Sequence, residues 1–88
     1  MAEDLEGLRK QVDEVDEGIV KGLNERAALV LKIRDAKKAE GQPYHDPERE
    51  LRVLNKIMAV NKGPLEDETL RHVYRHILQH MREFQENG

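Results

Sequence analysis

The feature that most constrains this chain is one apolar stripe running at helical spacing from Leu5 to Ala36. Leu5, Leu8, Val12, Val15 and Ile19 recur three and four residues apart, and Leu29, Ile33 and Ala36 resume the same heptad positions. Gly41 then stands where a C-terminal cap belongs, with Pro43 just beyond. The stretch from about Asp4 to Glu40 therefore predicts one helix, roughly 55 Å long at about 1.5 Å per residue. That is far longer than the usual globular helix of about three turns. Two short helices from the same chain cannot cover such a stripe, so a second chain has to.

The rest of the 88-residue sequence is punctuated by Gly41-Gln42-Pro43 and Gly63-Pro64 into two shorter stretches. The second opens with Asp46-Pro47-Glu48: a preferred N-cap, a favoured first helical residue and an acid suited to the first turn. Leu51, Leu54 and Met58, with Val53, Ile57 and Val60, give it an apolar face, and Asn61-Lys62-Gly63-Pro64 ends it. In the third, Leu70, Val73, Tyr74, Ile77, Leu78, Met81 and Phe84 form an amphipathic stripe. The expectation is an all-α chain of one domain, residues 1–88, with helices at about 4–40, 46–61 and 66–86.

Composition narrows the classes. Hydrophobic and charged residues each make up 38%, and aromatics only 3%, so the apolar material for a self-sufficient small core is thin and oligomerisation is the usual remedy. The absence of Cys excludes disulfide scaffolds, thiolate metal sites and Cys nucleophiles. No apolar run is long enough to span a membrane, and Met1–Lys10 is acidic without a signal-peptide core, so the cytoplasm is the expected compartment. A net charge of −3 argues against a general nucleic-acid binder, although 15 Lys and Arg leave room for a local anion site.

The informative positions are polar residues that interrupt the stripes. The heptad steps from Ile19 through Gly22 to Arg26 and on to Leu29, which puts Arg26 in a core slot. A guanidinium there either snorkels out or meets an anion. Lys37 follows eleven residues later and returns to the same helix face, about 16 Å along the axis. It is either a solvated lysine favoured by the helix dipole or the second arm of an anion clamp. Arg9 is about 25 Å from Arg26 along the axis, so it is a surface residue or reaches the site of an antiparallel second copy. Asp46, Arg49 and Glu50 share one face at the start of the second helix, as first-turn charge or as pocket groups. Gln85 continues the Tyr74, Leu78, Met81 line, where it either frays into water or donates into a pocket. His72, His76 and His80 have a spacing that could hold a metal, but they read as a solvated row opposite the apolar stripe, and no metal is expected. His45 has no partner legible in the sequence.

Taken together, these residues resemble the bacterial, all-α family of chorismate mutases. The first helix carries Leu8-Arg9, Val15-Asp16, Asn24-Glu25-Arg26, Ile33 and Lys37 in the family's order. Pro43-Tyr44-His45-Asp46-Pro47-Glu48-Arg49-Glu50 is similar to its Pro-x-x-Asp-x-x-Arg-Glu signature. Val73-Tyr74-Arg75-His76-Ile77-Leu78, Met81-Arg82 and Phe84-Gln85 match its closing pattern. Met81 departs from it, standing where many members have a Ser that bonds a substrate carboxylate.

The resemblance implies three helices per chain, one very long and two shorter, in an intertwined helical homodimer. It implies an isomerase of aromatic amino acid biosynthesis that converts chorismate to prephenate by a pericyclic rearrangement, with no cofactor. By the same resemblance, Arg26 and a second copy's Arg9 hold the two carboxylates, and Lys37 bridges a carboxylate and the ether oxygen. Gln85 donates to that oxygen from the other side. Glu50 accepts from the ring hydroxyl beside backbone near Asp46, and Arg49 lines the pocket and orients Glu50. Met81 occupies the substrate-binding wall. Loop lengths suit mutase domains attached to the first synthase of the shikimate pathway, so a fused or docked synthase is a further expected partner. The rivals are an isochorismate pyruvate lyase, in which the counterpart of Glu50 is usually apolar, and a non-catalytic domain sensing chorismate or prephenate.

Overall fold

A computed structural model describes residues 4–87 of the chain. The expected domain also takes in residues 1–3 and 88, and the reading of Met1–Lys10 begins there; those positions lie outside the described residues. Three helices follow in order, α1 (Leu5–Glu40), α2 (Pro47–Val60) and α3 (Asp67–Asn87), each within a residue or so of its expected bounds. No strand occurs among the described residues.

The agreement has local causes. Asp4 caps α1 by accepting from the Gly7 amide at 2.7 Å. At the other end Gly41 adopts φ 70°, a left-handed conformation that suits glycine. Its amide bonds the Lys38 carbonyl and the Gln42 amide bonds that of Lys37, the paired bonds of a Schellman turn. Asp46 caps α2 by accepting from the Arg49 amide at 3.1 Å, with Pro47 in the first turn. Asn61 closes the next turn through its side chain, donating to the Leu65 carbonyl and to Asp67, and accepting from the Gly63 amide.

Packing is sparse. α3 lies against both α1 and α2, whereas α1 and α2 do not pack on one another among the described residues. The molecule is 59 Å long and 16 Å across its thinnest direction, a shape set by α1. Among the described residues, Leu54, Leu78 and Gln85 alone are buried. The predicted apolar face of α2 is covered only in part: Leu54 is buried, but Leu51 and Val60 stay exposed because α3 crosses one side of the helix. Leu23 of α1 borders a groove with α3, and the stripe before it is open: Val15 is 62% and Ile19 53% exposed.

With so small a core, single apolar side chains carry much of the packing. Leu78 is 7% exposed and faces both the α1 and α2 sides of α3. Leu78→Ala is expected to cost about 3 kcal/mol, the usual loss for a buried leucine cut to alanine. A drop in the urea midpoint followed by far-ultraviolet circular dichroism measures it.

Candidate active site

Where α3 crosses the C-terminal half of α1 and the start of α2, the three helices enclose an open cleft of about 480 Å³. Its apolar walls come from Leu29, Val30 and Ile33 of α1, Val53 of α2 and Leu78 and Met81 of α3. Into it project Arg26, Lys37, Asp46, Arg49, Glu50, Arg82 and Gln85, with Tyr44 at the connection between α1 and α2. Every site residue expected from the sequence thus lines one cleft except Arg9. Arg9 is exposed on the first turns of α1 and does not line the cleft.

Local structure sets each group. The Schellman turn folds the chain back over the last turn of α1, and Lys37 Nζ donates to the Tyr44 carbonyl at 2.9 Å. An ammonium has three hydrogens, so two remain for an anion. Arg26 is half-buried on the stripe between apolar neighbours and has no carboxylate partner among the described residues. Gln85 is 6% exposed, so the alternative of a frayed end falls away. Its Nε2 donates to the Val30 carbonyl at 3.4 Å, a long and weak bond that leaves the amide's other hydrogen unused.

Charge in the cleft is unbalanced. Arg26, Lys37, Arg49 and Arg82 face Asp46 and Glu50, four cations against two carboxylates, an excess of two. Asp46 spends an oxygen on the α2 cap and Glu50 is engaged by Arg82. Apolar walls weaken screening, so the residual field favours an anion of matching charge.

Two expectations need correction, and His45, which had no legible partner, gains partners. Arg49 does not orient Glu50: neighbours on a helix point about 100° apart. The Glu50 carboxylate is instead held by Arg82 from α3, whose Nη1 donates to both oxygens at 3.1 and 3.0 Å. His45 does have partners: its Nε2 is 3.1 Å from Arg82 Nη1 and 3.7 Å from Glu50 Oε2. The His row is not wholly opposite the apolar stripe, since His76 and His80 border a groove with Leu23, Val73, Ile77 and Met81. His72 and His80 face Glu68 and Glu83, and no group of three or more metal-ligating side chains forms among the described residues.

Arg82 and Tyr44 are the polar groups that sequence reasoning missed. Arg82 carried a signal, because Leu78, Arg82 and Gln85 stand four and three residues apart on the buried line of α3, as Arg26 does on α1. Tyr44 carried none, since it acts through a carbonyl that any residue has.

The chorismate mutase type II family matches residues 8–86. The chain belongs to this family. A bifunctional chorismate mutase/prephenate dehydratase of Aquifex aeolicus is 42% identical over 80 residues, covering 86% of this chain. A chorismate mutase of Thermus thermophilus has the same fold at a TM-score of 0.92 and 37% identity, covering 96% of both chains. One from Helicobacter pylori, solved in complex with prephenate, gives 0.85 and 31%, covering 94% of this chain and 90% of its own. The chain spans about a fifth of the length of the bifunctional relatives it matches, 22% in the Aquifex case.

Proposed function

We propose that the chain is a chorismate mutase acting as an intertwined homodimer. The observation that carries the reading is the excess of two positive charges in a cleft with apolar walls. Chorismate is a dianion. Its rearrangement breaks the ether C–O bond and forms a C–C bond within one molecule, so nothing leaves and no nucleophile, metal or cofactor is required. Catalysis then consists of folding the substrate and of donors aimed at the ether oxygen, where negative charge grows.

In this reading Arg26 holds one carboxylate and Arg9 of a second copy the other. Lys37 Nζ keeps its bond to the Tyr44 carbonyl and turns its two remaining hydrogens to a carboxylate and the ether oxygen. Gln85 donates to the ether oxygen from α3. Glu50 accepts from the ring hydroxyl beside the Asp46 backbone, while Arg49 and Met81 line the bound substrate. Support for the dimer comes from the uncovered stripe of α1 and from the placement of Arg9 on it. No described helix is long and apolar enough to cross a membrane. Attachment to the first synthase of the shikimate pathway rests on loop lengths, and the Aquifex relative carries a dehydratase activity instead.

The test is to mix the purified chain with chorismate, follow its ultraviolet absorbance, and convert the product with acid to phenylpyruvate. Turnover to prephenate supports the proposal. Binding without turnover points to a sensing domain, and pyruvate and salicylate from isochorismate point to the lyase.

Gln85 offers a sharper check. A buried amide with one weak bond adds little stability, and leucine of similar size suits the site. Gln85→Leu is expected to keep or raise the melting temperature while lowering kcat about tenfold to a hundredfold. Parallel melts and initial rates read both. A variant that loses stability and keeps its rate would place Gln85 in the packing alone.

A further inference from the structure

The side of the cleft between α2 and α3 is closed by three groups that the proposed chemistry has not yet used together. Arg82 Nη1 lies 3.1 and 3.0 Å from the two Glu50 oxygens and 3.1 Å from His45 Nε2. The two side chains of the ion pair are only 30% and 28% exposed. Nη1 has two hydrogens and never accepts. One hydrogen is shared by the carboxylate oxygens, and the other is free to turn toward the His45 ring.

A glutamate on its own turns about three bonds, and its carboxylate samples several directions. Bridging both oxygens fixes the plane of the carboxylate and still leaves lone pairs on each oxygen for a further donor. Arg49, next to Glu50 on α2, makes no side-chain bond to it among the described residues, and His45 is at 3.7 Å. The orientation of Glu50 thus depends on a residue 32 positions away.

We propose that Arg82 is a positioning residue, holding the Glu50 carboxylate in the direction from which it accepts the substrate's ring hydroxyl. The proposal rests on the mutase reading of the cleft. A misplaced acceptor lets the substrate bind but holds it less often in the reactive geometry, so the effect falls on kcat rather than on KM.

The test is a double-mutant cycle on the full chain. Arg82→Gln is expected to lower kcat about tenfold to a hundredfold with KM within about threefold of wild type. Added to Glu50→Ala, the same change is expected to lower kcat by less than about twofold, since the group it positions is gone. Arg82→Lys keeps the charge and one bond, and is expected to fall between wild type and Arg82→Gln; it carries the test if Arg82→Gln does not fold. Several outcomes overturn the proposal: a kcat for Arg82→Gln within about twofold of wild type, losses that multiply in the double variant, or a risen KM at constant kcat. Multiplying losses would make the pair a strap between α2 and α3, and a risen KM would make Arg82 a substrate anchor. A faster Arg82→Gln would make the pair a latch that substrate has to break. A wild-type chain without turnover removes the mutase reading itself, which the first assay detects before any variant is made.

Discussion

Lys37→Ala lowers the turnover of chorismate by about a hundredfold or more, the usual loss when one preorganised donor to a developing oxyanion is removed. The expectation follows from how Lys37 is held. The Schellman turn at Gly41 brings the connecting segment back over the last turn of α1, and the Tyr44 carbonyl takes one hydrogen of Nζ. The ammonium is thereby aimed into the cleft before substrate arrives, and its charge strengthens the bond to an oxygen that becomes more negative along the reaction. Water entering in its place would have to be ordered and carries no charge. Lys38→Ala is the matched control. Lys38 sits on the same terminal turn but is exposed and lies outside the cleft, so it shares the favourable helix dipole and not the site. Its rate is expected to stay within about twofold of wild type. A wild-type rate for Lys37→Ala would sink the assignment of Lys37, and equal losses in the two variants would trace the effect to the helix end.

Charge placed in the stripe of α1 abolishes turnover altogether. Leu5, Leu8, Val12, Val15 and Ile19 are all largely exposed in the single chain. Covering what remains exposed of each stabilises an assembly by about 1 kcal/mol, a large sum over the stripe for a chain with so little core of its own. A pair of such stripes meeting across a twofold axis buries both. Val15→Asp combined with Ile19→Asp puts two carboxylates into that contact, where each is costly without a partner. The expected result is a monomer with reduced helix content and no measurable rate, read by sedimentation and by the chorismate assay. A fully active monomer would remove the dimer from the mechanism.

Subunit mixing then isolates the contribution of Arg9. Arg9→Ala and Lys37→Ala chains are each expected to be nearly inactive. Unfolded together and refolded, random pairing makes half of the dimers mixed, and each mixed dimer has one site with both residues. Activity is expected to recover to about a quarter of wild type. No recovery would mean that Arg9 serves its own chain or none.

The helix boundaries were legible because capping is a local transaction. Asp4, Gly41, Asp46 and Asn61 bond groups within about one turn, so a window of a few residues contains the whole interaction. Arg26 and Lys37 were legible for the same kind of reason: the period of the helix puts them on one face, and both do line the cleft. The length of α1 and the open stripe along it were written in the spacing of the apolar residues alone.

What the tertiary structure decided is how the faces meet. From its sequence position Gln85 reads as a frayed end sooner than as a pocket donor, until α3 is laid across α1, which buries it against the Val30 carbonyl 55 residues away. Arg82 pairs with Glu50 across 32 residues and meets His45 across 37, whereas Arg49, adjacent in sequence, makes no side-chain bond to that carboxylate among the described residues. A periodic pattern states which side chains share a face of one helix. It carries no term for the crossing of two helices, because that crossing is set by the sum of many packing contacts spread along the whole chain.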